Sequence, residues 1–226
     1  MVSKFIAKRI VFPILSRFSK VYFSSPRKYR YQSIKAVVNP GVFFPHFTIS
    51  TRLLLNFLSD KNLANASFLE LGSGTGIISV FAARKGARVT ASDINPAAVA
   101  NTLENAERNG VKIKAFQSDL FDSVETQQFD VILINPPYYP KEPTSDAEKA
   151  WYCGSEFQYF EKLFSTLPPF DSASTTIYMI LSDDCDFNRI QAIASKYGFQ
   201  FSEVFKAKKW GEWNFIYEIN LGSTHQ

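Results

Sequence analysis

From residue 67 onward, short apolar runs rich in β-branched residues alternate with amphipathic stretches of helical period, and this alternation constrains the fold more than any other feature. Strands are expected over 67–71, 88–92, 111–116, 131–134 and 175–181, and helices over 77–84, 96–109, 155–166 and 187–197. Asn95 is placed to cap the second helix, Pro96 to begin it and Gly110 to stop it. The chain closes with two strands, 201–209 and 213–220, folded back around Gly211. Regular alternation of this kind predicts an α/β fold with a doubly wound, mostly parallel seven-stranded sheet and a C-terminal antiparallel strand pair.

A chain of 226 residues, 46% of them hydrophobic and 15% aromatic, can bury a full core as one domain with additions. The two cysteines, Cys153 and Cys185, lie too far apart for a metal-binding pair and are too few for a disulfide framework. Together with the two histidines, His46 and His225, they give no expectation of a metal site, and they suit the cytoplasm.

Charge divides the chain unevenly. Before Asp60 there is no acidic residue, so the first 59 residues carry +10 and the remainder −6. Ile6, Ile10, Ile14, Phe18 and Tyr22 recur every four residues among lysines and arginines, which reads as a basic amphipathic helix over 2–23, bent or restarted at Pro13. Its apolar runs are too short and too charged to span a bilayer. The expected organisation is a basic N-terminal helical segment, 1–35, before a domain over 36–226, the former suited to contact with an anionic surface.

The unusual polar residues fall where strands end, which is where doubly wound sheets bind ligands. The first strand runs into Glu70-Leu71-Gly72-Ser73-Gly74-Thr75-Gly76, with glycines at alternate positions. A pyrophosphate-binding turn needs a different glycine spacing, and Glu70 would repel phosphate while suiting an ammonium group. Asp93 ends the second strand, positioned for two ribose hydroxyls, and Asp119 follows the third, able to accept from an adenine amine. Ammonium, ribose and adenine without phosphate describe S-adenosylmethionine.

The stretches "FLELGSGTGIISV", "ASDINPAAVANTLENAERNG", "SDLFD" and "NPPYY" resemble class I, Rossmann-like methyltransferases of the small-methyltransferase group, which includes release-factor glutamine methyltransferases and adenine-N6 methyltransferases. "KAWYCGSEFQYFEKLF" is similar to the segment after that group's catalytic loop. The resemblance implies that Glu70, Gly72, Gly74 and Gly76 line the methionine end of the cofactor. It further implies that Asp93 holds the ribose and that Asp119 with Leu120 meets the adenine.

The fourth strand stops at Asn135-Pro136-Pro137-Tyr138. Two prolines explain the stop but not the amide before them or the ring after them. The nitrogen of a carboxamide or nucleobase amine is a poor nucleophile because its lone pair is delocalised. Two acceptors on its N–H groups, the Asn135 side-chain oxygen and the Pro136 carbonyl on a stiff Pro136-Pro137 backbone, would favour a tetrahedral nitrogen aimed at the methyl donor. Tyr138 would stack on the flat acceptor group, a contact worth ~1–3 kcal/mol for a base. The leading expectation is therefore methyl transfer to a protein glutamine amide. Adenine-N6 methylation of RNA or DNA stands second, and a non-catalytic cofactor-binding subunit third.

Overall fold

The computed structural model describes residues 24–45 and 49–222 of the protein, so the helix expected over 2–23 lies outside the described residues. Strands β3 (Ser67–Leu71), β4 (Arg88–Asp93), β5 (Ile113–Gln117), β6 (Val131–Ile134) and β7 (Thr176–Ser182) form the parallel part of one sheet, which β8 (Phe199–Lys209) and β9 (Glu212–Leu221) complete. The order is β5-β4-β3-β6-β7-β9-β8, with β9 antiparallel to both neighbours. This is the seven-stranded arrangement expected from the alternation.

The apolar run of β6 is accounted for by two-sided burial. Leu133 enters a core with Phe68, Val80 and Ile180, whereas Ile132 and Ile134 enter a second core with Leu69, Phe160 and Met179. Successive side chains of a strand point to opposite faces, so a run without polar interruption is what a central strand requires. On the first face lie α1 (Ile49–Ser59), α2 (Ile77–Arg84) and α3 (Pro96–Arg108). On the second lie α4 (Gln158–Thr166) and α5 (Phe187–Lys196).

Local chemistry sets the boundaries. The Asn95 side chain accepts the Ala97 N–H at 2.9 Å and Pro96 opens α3, as the sequence suggests. At its far end Gly110 takes a φ of +67° and the Val111 N–H returns to the Ala106 carbonyl, so β5 starts at Ile113 and not at 111. Helix α4 likewise begins at Gln158 and not at 155, because Gly154 and Phe157 hold a turn at positive φ.

Among the described residues, helix α1, a hairpin of β1 (Arg27–Tyr31) and β2 (Ile34–Val38), and short 3-10 turns at Glu148–Ala150 and Pro168–Phe170 lie outside the elements expected from the sequence. The hairpin packs on α3 through a ladder of asparagines at one-turn spacing. Asn109 exchanges two hydrogen bonds with the backbone of Lys35, Asn105 exchanges two with Val37, and Asn101 accepts from the Asn39 N–H while donating to the Val37 carbonyl. Position 35/36, the expected domain edge, falls inside β2. Tyr29, Tyr31, Ile34, Ala36 and Val38 are buried in the first core, so the hairpin packs with the sheet domain.

Candidate active site

The chain leaves β3 toward β4 and leaves the adjacent β6 toward β7, in opposite directions, and a crevice opens between their carboxyl ends. A cleft of about 340 Å³ occupies this crevice, within the ~300–1,000 Å³ usual for small-molecule sites. Glu70, Gly72, Gly74, Asp93, Asp119, Leu120, Asn135, Pro136, Pro137 and Tyr138 all line it. The structure thus gathers residues from four strand ends into one site.

Gly76 is the exception. It does not line the cleft; a Cβ at this position would stand 2.6 Å from Thr102 Cγ2 and 2.8 Å from Thr102 Cα. Its φ of +69° turns the chain into α2, and its missing side chain lets α3 approach the glycine turn. Alternate spacing of glycines cannot separate a residue facing a ligand from one facing a helix.

Glu70 sits at the end of β3, buried, where its carboxylate accepts a hydrogen bond from the Ser79 hydroxyl of α2. Burial pushes its pKa up to about 8; Ser79 opposes that shift, and nearby Asp93 adds to it. A buried carboxyl of this kind gains most from a cationic partner delivered by a ligand. Asp93 is also raised by burial, against which the Gly74 and Asn95 N–H groups donate to its two oxygens at 2.8 and 2.9 Å. Asp93 therefore does more than face the cleft, because it also fixes the glycine turn of the neighbouring strand. Gly72 and Ser73 donate to the Ser92 carbonyl at 2.9 and 3.0 Å, tightening the same junction.

Across the cleft, Asn135 leaves β6 half-buried, its side-chain amide without a hydrogen-bond partner among the described residues. Tyr138 is raised by burial, and its hydroxyl interacts with those of Ser182 and Tyr139. Beyond it Tyr139 pairs with Tyr152 in an isolated bridge, closed by Tyr139 N–H to Trp151 O at 3.2 Å and Cys153 N–H to Tyr139 O at 3.0 Å. This pairing carries residues 140–151 over the cleft, where the Trp151 ring meets Phe43 at 5.0 Å from the opposite wall.

Several lining residues carry no signal in the strand-end motifs. Phe43 and Trp151 form the roof, and Tyr159 and Lys162 come from α4. On α4 the residues Phe160, Leu163 and Phe164 are buried in the second core, so Tyr159 and Lys162, three apart, stand on the flank turned to the cleft. Only the polar ends at that helical spacing within "EFQYFEKLF" hint at them. Tyr159 is strongly raised by burial, with Asp119 and Asp93 adding to the effect.

The residues present fit a ligand bearing an ammonium and a nucleoside: a buried carboxyl at one end, Asp93 at the middle strand end and Asp119 at the third. Fold and cleft together define a Rossmann-like domain with its ligand cleft at the strand ends. The chain belongs to the methyltransferase small domain family, whose pattern matches residues 33–150. A Methanocaldococcus jannaschii protein carrying the name protein N5-glutamine methyltransferase is 47% identical over 119 residues, covering 52% of this chain and 56% of that one. A release factor glutamine methyltransferase of Geobacter sulfurreducens is 34% identical over 114 residues, 50% of this chain and 38% of its own. The chain thus spans about half or less of these relatives. A ribosomal RNA small subunit methyltransferase C of Chromohalobacter salexigens is 28% identical over 170 residues, 70% of this chain and 51% of that one. Among solved structures, the E. cuniculi Mtq2–Trm112 complex, described as responsible for methylation of the eRF1 termination factor, has a chain that aligns with a TM-score of 0.61 at 19% identity, covering 80% of this chain and 98% of that one. No helix among the described residues is long and apolar enough to cross a membrane.

Proposed function

We propose that the protein transfers a methyl group from S-adenosylmethionine to a planar nitrogen, and that the acceptor is the side-chain amide of a protein glutamine. The observation that carries this reading is the position of Asn135-Pro136-Pro137-Tyr138, at the end of the strand beside Glu70 and on the same cleft as Glu70 and Asp93. The glutamine acceptor draws support from the names of the two relatives described above.

In this reading the cofactor supplies an electrophilic methyl on a sulfonium, and the chain supplies position and fixed dipoles. Glu70 holds the ammonium, Asp93 the ribose hydroxyls and Asp119 the adenine amine. Asn135 Oδ1 and the Pro136 carbonyl accept the two N–H groups of the acceptor amide and draw its nitrogen out of conjugation. Tyr138 holds the plane of that amide. The acceptor nitrogen, so held, would take the methyl that the bound cofactor supplies, the sulfur keeping the electron pair, and would lose one proton to solvent. The carbonyl of Pro136 accepts no turn hydrogen bond among the described residues, because the Tyr139 N–H that would close one donates to Trp151 O at 3.2 Å.

A second reading, methylation of an exocyclic nucleobase amine, is favoured by the aromatic residues Tyr139, Trp151 and Tyr152 that line the cleft beyond Tyr138. Methyl-labelled cofactor incubated with a cell lysate, then divided into protein and nucleic-acid fractions, tests both. Label recovered as N5-methylglutamine supports the first reading, label in methylated bases replaces it with the second, and label in neither removes both.

A further inference from the structure

We infer that Lys162 is a positioning residue that aims the Asp119 carboxylate and thereby sets the preference of the cleft for a purine bearing an exocyclic amine. The inference rests on the proposed role of Asp119 at the adenine. Lys162 projects from α4, an element remote in sequence from the loop after β5, and its ammonium lies 2.7 Å from Asp119 Oδ2 and 2.6 Å from Asp122 Oδ2. Both Asp119 and Lys162 line the cleft.

Two features make the contact more than a surface ion pair. Asp119 and Asp122 are one turn apart and would repel each other, and Lys162 is shared between them. Half-exposed carboxylates rotate freely unless held, and engagement of Oδ2 leaves Oδ1 with its lone pairs for a ligand N–H. The neighbouring Leu120 is buried in the second core, which anchors the loop backbone and leaves the Asp119 side chain to be fixed. Burial works against the charge on Lys162, but the two carboxylates outweigh it and raise its pKa, so it stays cationic wherever the cleft works.

A carboxylate aimed by a cation accepts a hydrogen bond from an amine and repels an oxygen. The full chain should therefore bind S-adenosylhomocysteine in preference to its 6-oxo counterpart, S-inosylhomocysteine, by roughly tenfold or more, the scale of one hydrogen bond to a charged group. Lys162→Met should reduce that preference at least threefold while leaving the melting temperature within a few degrees, and Lys162→Arg should restore it. Asp119→Asn separates the two layers. If Asp119→Asn leaves the preference untouched, Asp119 does not read the adenine and the underlying reading fails. If Asp119→Asn abolishes the preference but Lys162→Met keeps it whole, Asp119 reads the base unaided and the inference about Lys162 is overturned. Calorimetric titration of the two nucleosides against these variants provides the measurement without recourse to turnover.

Discussion

Asn105 of α3 treats Val37 as a neighbouring strand would, its Oδ1 accepting the Val37 N–H at 2.8 Å and its Nδ2 donating to the Val37 carbonyl at 2.9 Å. The same Nδ2 also donates to the Thr75 carbonyl of the glycine turn at 2.9 Å. A helix side chain thus satisfies the outward backbone groups of β2 and joins the N-terminal hairpin to the turn beside the cleft. Asn105→Ala would leave the part-buried Val37 N–H and the buried Thr75 carbonyl without these partners, while Asn101 would still serve the Val37 carbonyl. A loss of about 2–4 kcal/mol is expected, seen as a fall in Tm of roughly 5–15 °C. Asn109→Ala, at the exposed end of the ladder, should cost less than half as much. Equal and small shifts for both would show that the ladder contributes little.

Gly72 and Gly76 separate two kinds of glycine in one turn. Both have positive φ, +72° and +69°, yet a Cβ on Gly72 meets nothing within 4 Å while one on Gly76 meets Thr102 at 2.6 Å. Gly72→Ala should then cost only the left-handed backbone penalty, about 1–2 kcal/mol. Gly76→Ala adds a clash against helix α3 and should cost clearly more, about 3 kcal/mol or above. Gly76→Ala combined with Thr102→Ala should recover little of this, because the Thr102 Cα also stands within 2.8 Å. Chemical denaturation of the three variants measures the order.

Why the parallel sheet was legible and the hairpin was not follows from their surroundings. Residues 131–134 read correctly because a strand covered on both faces must be apolar throughout, and its bounds end where prolines remove donors. Residues 27–38 do alternate, with Tyr29, Tyr31, Ile34, Ala36 and Val38 buried, but their outward positions carry the basic charge that dominates the segment. The connecting turn also lacks the usual residues, since Gln32 takes the φ of +50° that glycine or asparagine normally supplies. In the cleft, Asp93 and Asn135 were legible because strand ends place them directly. Lys162, Tyr159 and Trp151 reach the cleft through tertiary packing, which no local pattern encodes. Asp93 shows the limit most plainly, because its hold on the Gly74 N–H depends on the registry of two adjacent strands.

Glu70 gives a pH dependence with a definite sign. Its pKa in the fold is about 8 against an ordinary 4.5, so between those values the folded protein keeps a proton that the unfolded chain has released. This contribution favours the fold below about pH 4.5 and is lost as pH rises through 8. Stability of the ligand-free protein should fall over that interval, and Glu70→Gln should flatten the fall. A cationic ligand reverses the balance, since pairing with an ammonium favours the ionised carboxylate. Binding of S-adenosylmethionine near pH 7 should release about one proton, detected by calorimetry in buffers of different ionisation enthalpy. Glu70→Gln should abolish the release and weaken binding, and an unchanged proton count in that variant would place the ammonium elsewhere.

Asn135 and Tyr138 divide the acceptor side by task. Asn135 lines the cleft with a side-chain amide that has no hydrogen-bond partner among the described residues, whereas the Tyr138 hydroxyl interacts with Ser182 and Tyr139. Asn135→Ala removes an acceptor that acts on the reacting nitrogen, so turnover should fall by about 10²-fold or more, with cofactor affinity nearly unchanged. Asn135→Asp keeps the shape but introduces a charge that needs a proton or solvent in a half-buried site, and should fall comparably. Tyr138→Ala should act on the acceptor's apparent affinity, because it removes the ring. Tyr138→Phe keeps the ring and forfeits only the hydroxyl's local hydrogen bonding, about 0.5–1.5 kcal/mol, so it should be mild in turnover and visible in stability. Single-turnover assays at saturating cofactor separate these effects. If Asn135→Ala transferred methyl at the parent rate, activation of a planar nitrogen by this motif would be wrong even with the cofactor bound as described.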